Sequence, residues 1–353
     1  MSSNIAITTT KNSRLEGIDF SNLAFGRSFS DHMFVVDYAE KQWVNPRIVP
    51  FESFMMHPSA MALHYGQAIF EGMKASKNKD GKACLFRPEL HARRINASAR
   101  RMSMPEFPEE LFLEGLQQLV ALDSGWIPPQ EGSALYIRPF MFATDGSFGV
   151  RPSDRYTFMI FTGPVGPYYA EPVKLKAETH FVRAVPGGTG EAKAAGNYAG
   201  ALLPTELAKQ EGFDQVMWLD GHEFRYVQEV GTMNIFFVID GKVVTPATDG
   251  AILKGITRAT ILEILREKGI PVEERKLDIH ELIAAHEQGT LQEAWGAGTA
   301  AVIAPIASIT YQGQLIPLPS ADKFAIGNAM KDTINGLRSG RVADTHNWVV
   351  VVN

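Results

Sequence analysis

EVGTMNIFFVIDGKVVTPATDGAILKGITR, residues 229–258, changes its pattern twice. Two β-rich runs, NIFFVI and KVVT, flank Asp240-Gly241, and a two-residue turn of that type suits a chain that must reverse with both central residues at positive φ. An antiparallel hairpin is therefore expected. From Ile256 the spacing of apolar residues becomes helical, and it ends near Lys268, where Gly269 and then Pro271 stop a helix. Strand, tight turn, strand and helix follow one another within a short stretch.

The same grammar extends outward. Asp220-Gly221 stands between QVMWL (215–219) and EFRYV (223–227), a second hairpin signal, and a helix is expected from Ala321 to Leu337. Towards the front, Pro88-Glu89 opens a helix over 88–102 with Leu90, Ile95, Ala99 and Met102 along one stripe. Pro108-Glu109-Glu110 opens another, with Leu111, Leu116, Leu119 and Val120 as its apolar face and Gly125 beyond its end. Strands are expected at 34–38, 134–142 and 156–162. The run GPVGPYYAEP (163–172), rich in proline and glycine, reads as a linker. The chain then divides into an N-terminal α/β domain (1–164), a linker (165–175) and a C-terminal domain (176–353) that carries the lysine discussed below. Strands with segregated helices in two portions make the fold class α+β.

At 353 residues the chain is longer than one core usually grows, which also argues for two domains. Its charge of −5 comes from interspersed acids and bases, so nothing in it favours nucleic acid or an anionic membrane. One cysteine, Cys84, allows neither an internal disulfide nor a cysteine-based metal site, and no metal is expected. No apolar run approaches the ~18 residues of a membrane span, and the start lacks the apolar block of a secretory signal. Its Ser/Thr-rich opening, with Lys11 and Arg14 and no acid, has some transit-peptide character but is read as a frayed terminus. A cytoplasmic enzyme is the expectation.

The segment most suited to chemistry is PGGTGEAKAAGNYAGAL (186–202), where small residues let the backbone approach a ligand around one lysine. A phosphate-cradling P-loop would need Gly-Lys-Ser/Thr, whereas Ala192 and Ala194 flank Lys193, so the nucleotide reading loses its key residues. On its own Lys193 reads as a solvated loop lysine.

Its company changes that. EVGTMNIF (229–236), VVT (243–245) and LKGITR (253–258), together with GGTGEAKAAGNYA, resemble the signature of the class IV aminotransferases, the fold-type IV pyridoxal-phosphate enzymes. HYGQAIFEGMKA (64–75), FRPELHARRINASARR (86–101), LYIRPF (135–140), GAGTAAVIAP (296–305) and RVADTHNW (341–348) look like those of the branched-chain members, bacterial type. The resemblance runs from about residue 20 to the end. The cysteine pair of vertebrate relatives is replaced by Ala301 and Ala304, so thiol regulation of that kind is not expected.

The resemblance implies a two-domain fold with the cofactor, pyridoxal 5'-phosphate, at the domain interface. It implies transfer of the amino group of L-leucine, L-isoleucine or L-valine to 2-oxoglutarate, reversibly, through a Schiff base on Lys193. Such a lysine must also shuttle a proton, which requires its amine to lose its ordinary high pKa in a desolvated site. Glu229 matches the carboxylate that keeps the pyridine nitrogen protonated, and Tyr198 the tyrosine that hydrogen-bonds the ring's phenolic oxygen. Arg94 matches the phosphate arginine, while Arg93 reads as the solvated face of the same helix. Gly255, Ile256 and Thr257 begin a helix, where free amides and the helix dipole favour a phosphate. Thr299 resembles a further phosphate contact at the substrate side, and its neighbour Ala300 offers a backbone amide towards the substrate carboxylate.

One pocket must accept an aliphatic side chain in one half-reaction and a charged one in the other. Tyr65, Phe70 and Tyr168 fit the family's aromatic wall, and Tyr136 and Arg138 the polar edge that receives a carboxylate. Family members are homodimers that share pockets across the subunit interface, so some of these residues can serve the neighbouring subunit. Within the fold, a D-amino-acid aminotransferase or an aminodeoxychorismate lyase are the nearest alternatives, though both are usually shorter. A nucleotide-binding protein is the alternative of a different class.

Overall fold

The computed structural model describes residues 4–166 and 171–352. The chain folds into two units: Met1–Tyr168 with Ala192–Gly196 and Asn335–Asn353 form the first, and Tyr169–Glu191 with Asn197–Ile334 the second.

The first unit is built on one sheet of nine strands, in the order Ala6–Ile7, Gln42–Pro50, His32–Ala39, Tyr156–Val165, Ala134–Ala143, Met73–Lys77, Ala83–Phe86 and Val349–Val351, with Ala68–Phe70 also paired to Ala134–Ala143. The expected helices are Pro88–Arg101 and Glu109–Leu122. Ile95, Ala99, Phe112, Leu116 and Leu119 bury the apolar stripes of these helices in one core with Phe34, Ile137 and Phe158 of the sheet. Gly115 shows how close that packing is. A methyl there would lie 2.4 Å from the Phe34 ring, so a residue that weakens a helix interior lets this helix lie against the strand.

In the second unit the sheet runs Val227–Val230, Gln215–Leu219, Val173–Ala177, Val302–Tyr311, Leu291–Gly298, Met233–Ile239, Lys242–Pro246 and Val272–Arg275, with Gln314–Pro317 paired to Val302–Tyr311. Val227–Val230 also pairs with Met233–Ile239, which closes a ring of strand pairings and leaves the strands of that ring no open edge. Its core holds Leu175, Met217, Ile235, Phe237, Ala294 and Ile306. The α+β class stands as expected.

Five details differ from the sequence reading. Residues 192–196, assigned above to a C-terminal domain over 176–353, pack with the first unit, because Lys193 N–H donates to Ser98 Oγ (2.9 Å), its carbonyl accepts from Phe70 N–H (3.0 Å), and Ala192 and Ala194 enter that unit's core. Residues 335–353 return to it as well, and the strand Val173–Ala177 begins inside the stretch taken as a linker, 165–175. The N-terminal segment is tied down from Ile5, which enters the first unit's core: Ala6–Ile7 pairs with Arg47–Ile48, and Ser13 and the Arg14 amide bond Asp31. Finally, Asp220-Gly221 is no two-residue hairpin. The partner strand is Val227–Val230, and the Asp220 carboxylate organises the longer turn by accepting from the amides of His222, Glu223, Arg225 and Tyr226.

Candidate active site

In the first unit the motif Phe70-Glu71-Gly72 sends its side chains to two sides, as extended backbone requires. Phe70 faces two cations: Lys193 Nζ lies 4.9 Å and Arg138 Cζ 4.8 Å from its ring centroid. Both distances fall in the range where a cation is attracted by an aromatic face. Arg138 also donates through Nη2 to the Tyr136 hydroxyl (3.1 Å), and among the described residues its buried Nε has no hydrogen-bond partner. Gly72 makes room for that hydroxyl, since a methyl there would lie 2.2 Å from it.

Tyr136 and Arg138 open into a cleft of about 270 Å³ lined also by Phe25, Phe29, Phe161 and Val165. Phe25 meets Tyr136 edge-on, with centroids 5.2 Å apart. Ser28 and Thr162 also line the cleft, but most of its wall is apolar and Arg138 is its charged group, a composition suited to a small ligand with one charged group.

Glu71 points the other way and is fully buried. Its Oε1 accepts from Arg94 Nε at 2.7 Å, and its Oε2 from Arg94 Nη2 at 2.8 Å. His91 Nδ1 lies 2.7 Å from the same Oε2. Burial raises the Glu71 pKa, but the Arg94 charge and the hydrogen bonds from Arg94 and His91 outweigh it and hold the carboxyl far below its ordinary range. Burial depresses the His91 pKa, and the charges of Arg94 and Lys193 add to that against the pull of Glu71. Arg94 is thus turned inward, its side chain 11% exposed, while Arg93 is 64% exposed beside Glu109.

The second unit orients Glu229 from two directions. Arg183 Nε lies 2.7 Å from Glu229 Oε2, and Asn234 Nδ2 donates to Oε1 at 3.0 Å. Asn234 Nδ2 also donates to the Leu253 carbonyl (2.9 Å), and its Oδ1 fills the place where a Gly255 side chain would be. Gly255 stands before the helix Ile256–Glu267 and, as a glycine, has no side chain with which to cap the amides of that first turn. Thr257 is buried there. Arg258 ties the turn back to the hairpin by donating to the Pro246 carbonyl at 2.9 Å.

The hairpin of Leu291–Gly298 with Val302–Tyr311 has Thr299 and Ala300 at its tip, followed by Val302 at φ +63°, a costly conformation for a β-branched residue and a kind of strain that gathers at functional turns. Tyr198 is half-buried on the helix Ala195–Gly200.

Lys193, Phe70, Tyr136, Arg138 and Arg94 are therefore gathered in the first unit, and Glu229, Gly255, Ile256 and Thr257 in the second. Tyr65 stays outside the cleft: it is exposed, and its hydroxyl donates to the Phe148 carbonyl. Tyr168 lies outside the described residues. Sequence reasoning missed Phe25, Glu71, His91, Arg183 and Asn234. Asn234 and Glu71 stood inside quoted motifs, but only their partners in space distinguish them.

The class IV amino-transferase family matches residues 68–309 of the chain. Over 352 residues the chain is 48% identical to branched-chain-amino-acid aminotransferase 2 of Bacillus subtilis, covering 99% of this chain and 96% of that one. It is 47% identical to branched-chain-amino-acid transaminase 1 of the same organism over 339 residues, 95% of each. Among solved structures, the branched-chain amino acid aminotransferase of Escherichia coli superposes with a TM-score of 0.75 at 27% identity, over 92% of this chain and 99% of that one. That of Thermobaculum terrenum in its PLP form does so at 0.71 and 25%, over 93% and 100%. With that family matching most of its length and relatives of nearly half identity covering almost all of it, the chain belongs to the class IV aminotransferases.

Proposed function

We propose that the chain is a branched-chain amino-acid transaminase that uses pyridoxal 5'-phosphate and exchanges amino groups, reversibly, between L-leucine, L-isoleucine or L-valine and 2-oxoglutarate. The observation that carries this reading is the Phe70 ring with the Lys193 amine and the Arg138 guanidinium both against it, beside an apolar cleft. An aliphatic side chain is accepted by Phe70, Phe25 and Phe161, and the side-chain carboxylate of glutamate by Arg138 and the Tyr136 hydroxyl. The unpartnered Arg138 Nε is a donor of the kind such a carboxylate satisfies.

The residues present fit the cofactor. Arg94 in the first unit, and in the second the first-turn amides of a helix whose Gly255 admits no side chain, are donors suited to a phosphate dianion. Glu229, held by Arg183 and Asn234, is a buried carboxylate suited to a pyridine N–H. Bound pyridoxal phosphate supplies an electron sink for the charge left when the substrate loses its α-proton.

The chain's own residues do the rest. Lys193 holds the cofactor and moves the proton between the two reacting carbons through Nζ. With the cofactor bound, Glu229 would pair with the pyridine N–H and Tyr198 with the phenolic oxygen. Arg94, the Gly255–Thr257 turn and Thr299 would hold its phosphate, and the Ala300 amide would take the substrate's α-carboxylate. The aromatic wall keeps water from the reacting carbon.

Tyr65, exposed in this chain, is assigned with Tyr168 to the aromatic wall, Tyr65 serving a second subunit of a homodimer. Leu63 on the same helix, Met61–Tyr65, and Met55, Phe148 and Val150 in neighbouring loops are exposed apolar residues, and light scattering of the purified chain checks the assembly. Among the described residues no helix is long and apolar enough to cross a membrane, and we place the enzyme in the cytoplasm, which fractionation checks.

A coupled assay with each L-amino acid and 2-oxoglutarate tests the function. Turnover of the three branched-chain substrates, abolished in Lys193→Ala, is expected. Arg138→Gln should raise the KM for glutamate about tenfold or more and change that for leucine far less, because one charge-assisted contact is worth about 1.5–3 kcal/mol. Efficient turnover of D-alanine without L-leucine would overturn the assignment.

A further inference from the structure

Glu71 does no chemistry in the scheme above, yet it is among the most completely buried charges of the first unit, and it stands between two site residues, Phe70 and Gly72. Its own amide donates to the Pro139 carbonyl at 2.7 Å, so the backbone that carries it is pinned to the strand bearing Tyr136 and Arg138. Its carboxylate grips Arg94 by Nε and Nη2 together. A guanidinium is planar and rigid, so anchoring two of its nitrogens fixes both its plane and the direction in which the third one points. His91, one helical turn before Arg94, holds the same carboxylate through Nδ1 and keeps it from rotating away. Buried ion pairs are a poor means to stability, since burying both charges offsets most of their attraction and well-packed apolar groups of the same size would serve as well. Such a pair does fix an orientation.

The geometry points to Glu71, supported by His91, as a positioning residue for phosphate recognition: it aims the Arg94 guanidinium at the phosphate of the cofactor. The same three-residue stretch then sets the aromatic wall with Phe70, the arginine with Glu71 and the place of the Tyr136 hydroxyl with Gly72. This inference rests on the reading of Arg94 as a phosphate ligand.

Cofactor-stripped enzyme titrated with pyridoxal phosphate and, separately, with pyridoxal, which lacks the phosphate, tests it by the change in visible absorbance on binding. Glu71→Gln is expected to weaken pyridoxal phosphate about tenfold or more and to change pyridoxal less than about threefold. A merely structural residue would weaken both alike, and equal loss, or no loss, overturns the inference. Arg94→Gln is titrated in parallel. If it leaves pyridoxal phosphate affinity unchanged, the reading of Arg94 fails and the inference with it; if it weakens that affinity while Glu71→Gln does not, the inference alone falls. Should Glu71→Gln not fold, His91→Gln, which keeps the ion pair, carries the test: a smaller loss confined to the phosphate-bearing ligand supports the inference, and equal loss for both ligands overturns it.

Discussion

A methyl group on Gly255 would lie 1.9 Å from Asn234 Oδ1, too close for either to stay where it is. Asn234 is also what joins Glu229 to the Leu253 carbonyl, so Gly255→Ala should disturb a residue it never touches. Overpacking of this kind costs about 1–3 kcal/mol. The expected outcome is a lower melting temperature together with weaker cofactor binding, read from a thermal melt and an absorbance titration; a melt shift with unchanged affinity would separate Asn234 from the site. In the sequence, both residues lie in stretches whose resemblance was plain, but the reason for a glycine at 255 was not. Arg183 was less legible still. It is one arginine in a segment without periodicity, and its partner Glu229 is distant in the chain, so only the fold reveals the pair. The choice between Arg93 and Arg94 was legible as a resemblance and became physical once Glu71 was seen to hold one of them.

Two turns that look alike in sequence part company as elements. Asp240-Gly241 forms the expected tight turn, with φ of +48° and +72° and Ile239 paired to Lys242, because its side chains have no other business. Asp220-Gly221 has the same letters, but the Asp220 carboxylate gathers four backbone amides and spreads the reversal over residues 220–226. Burial would raise the Asp220 pKa, yet those amides bring it down to about 2. A carboxyl whose pKa is lower in the folded than in the unfolded chain stabilises the fold fully above its ordinary 3.8, and that contribution is lost as pH falls through about 2. Asp220→Ala is expected to cost about 1–3 kcal/mol at neutral pH. In urea unfolding, the gap between the two proteins should stay level down to about pH 4 and narrow below it; a gap independent of pH would assign the effect to something other than the carboxylate. The helices and long strands were legible because their apolar spacing is set by what they bury. Ala6–Ile7 and Val349–Val351 were not, since strands of two and three residues carry no period.

At the scale of the molecule, the first unit is sewn from three separate stretches of chain. Its sheet ends on Val349–Val351, paired to Ala83–Phe86, and Trp348 locks that edge: its carbonyl accepts from the Arg87 amide at 2.7 Å, and its ring lies under the Arg87 guanidinium and edge-on to Phe86. Trp348→Ala should lower stability by about 3–5 kcal/mol, as truncation of a buried aromatic does. Denaturant unfolding measures it, and a loss below about 1 kcal/mol would make the strap dispensable. The linear division at 165–175 failed here for a general reason, that composition marks where a chain is pliable and not where it returns.

That return sets an order of events on the ribosome. Ala83–Phe86 emerges early and must wait, its outer edge open, while the whole second unit is synthesised before residues 349–351 arrive to cover it. The nascent chain therefore carries an unsealed sheet through most of its elongation, and the lysine that reaches that unit at residue 193 docks onto a half-finished scaffold. Chaperone demand during translation, more than the stability of the finished enzyme, is where this topology is exposed.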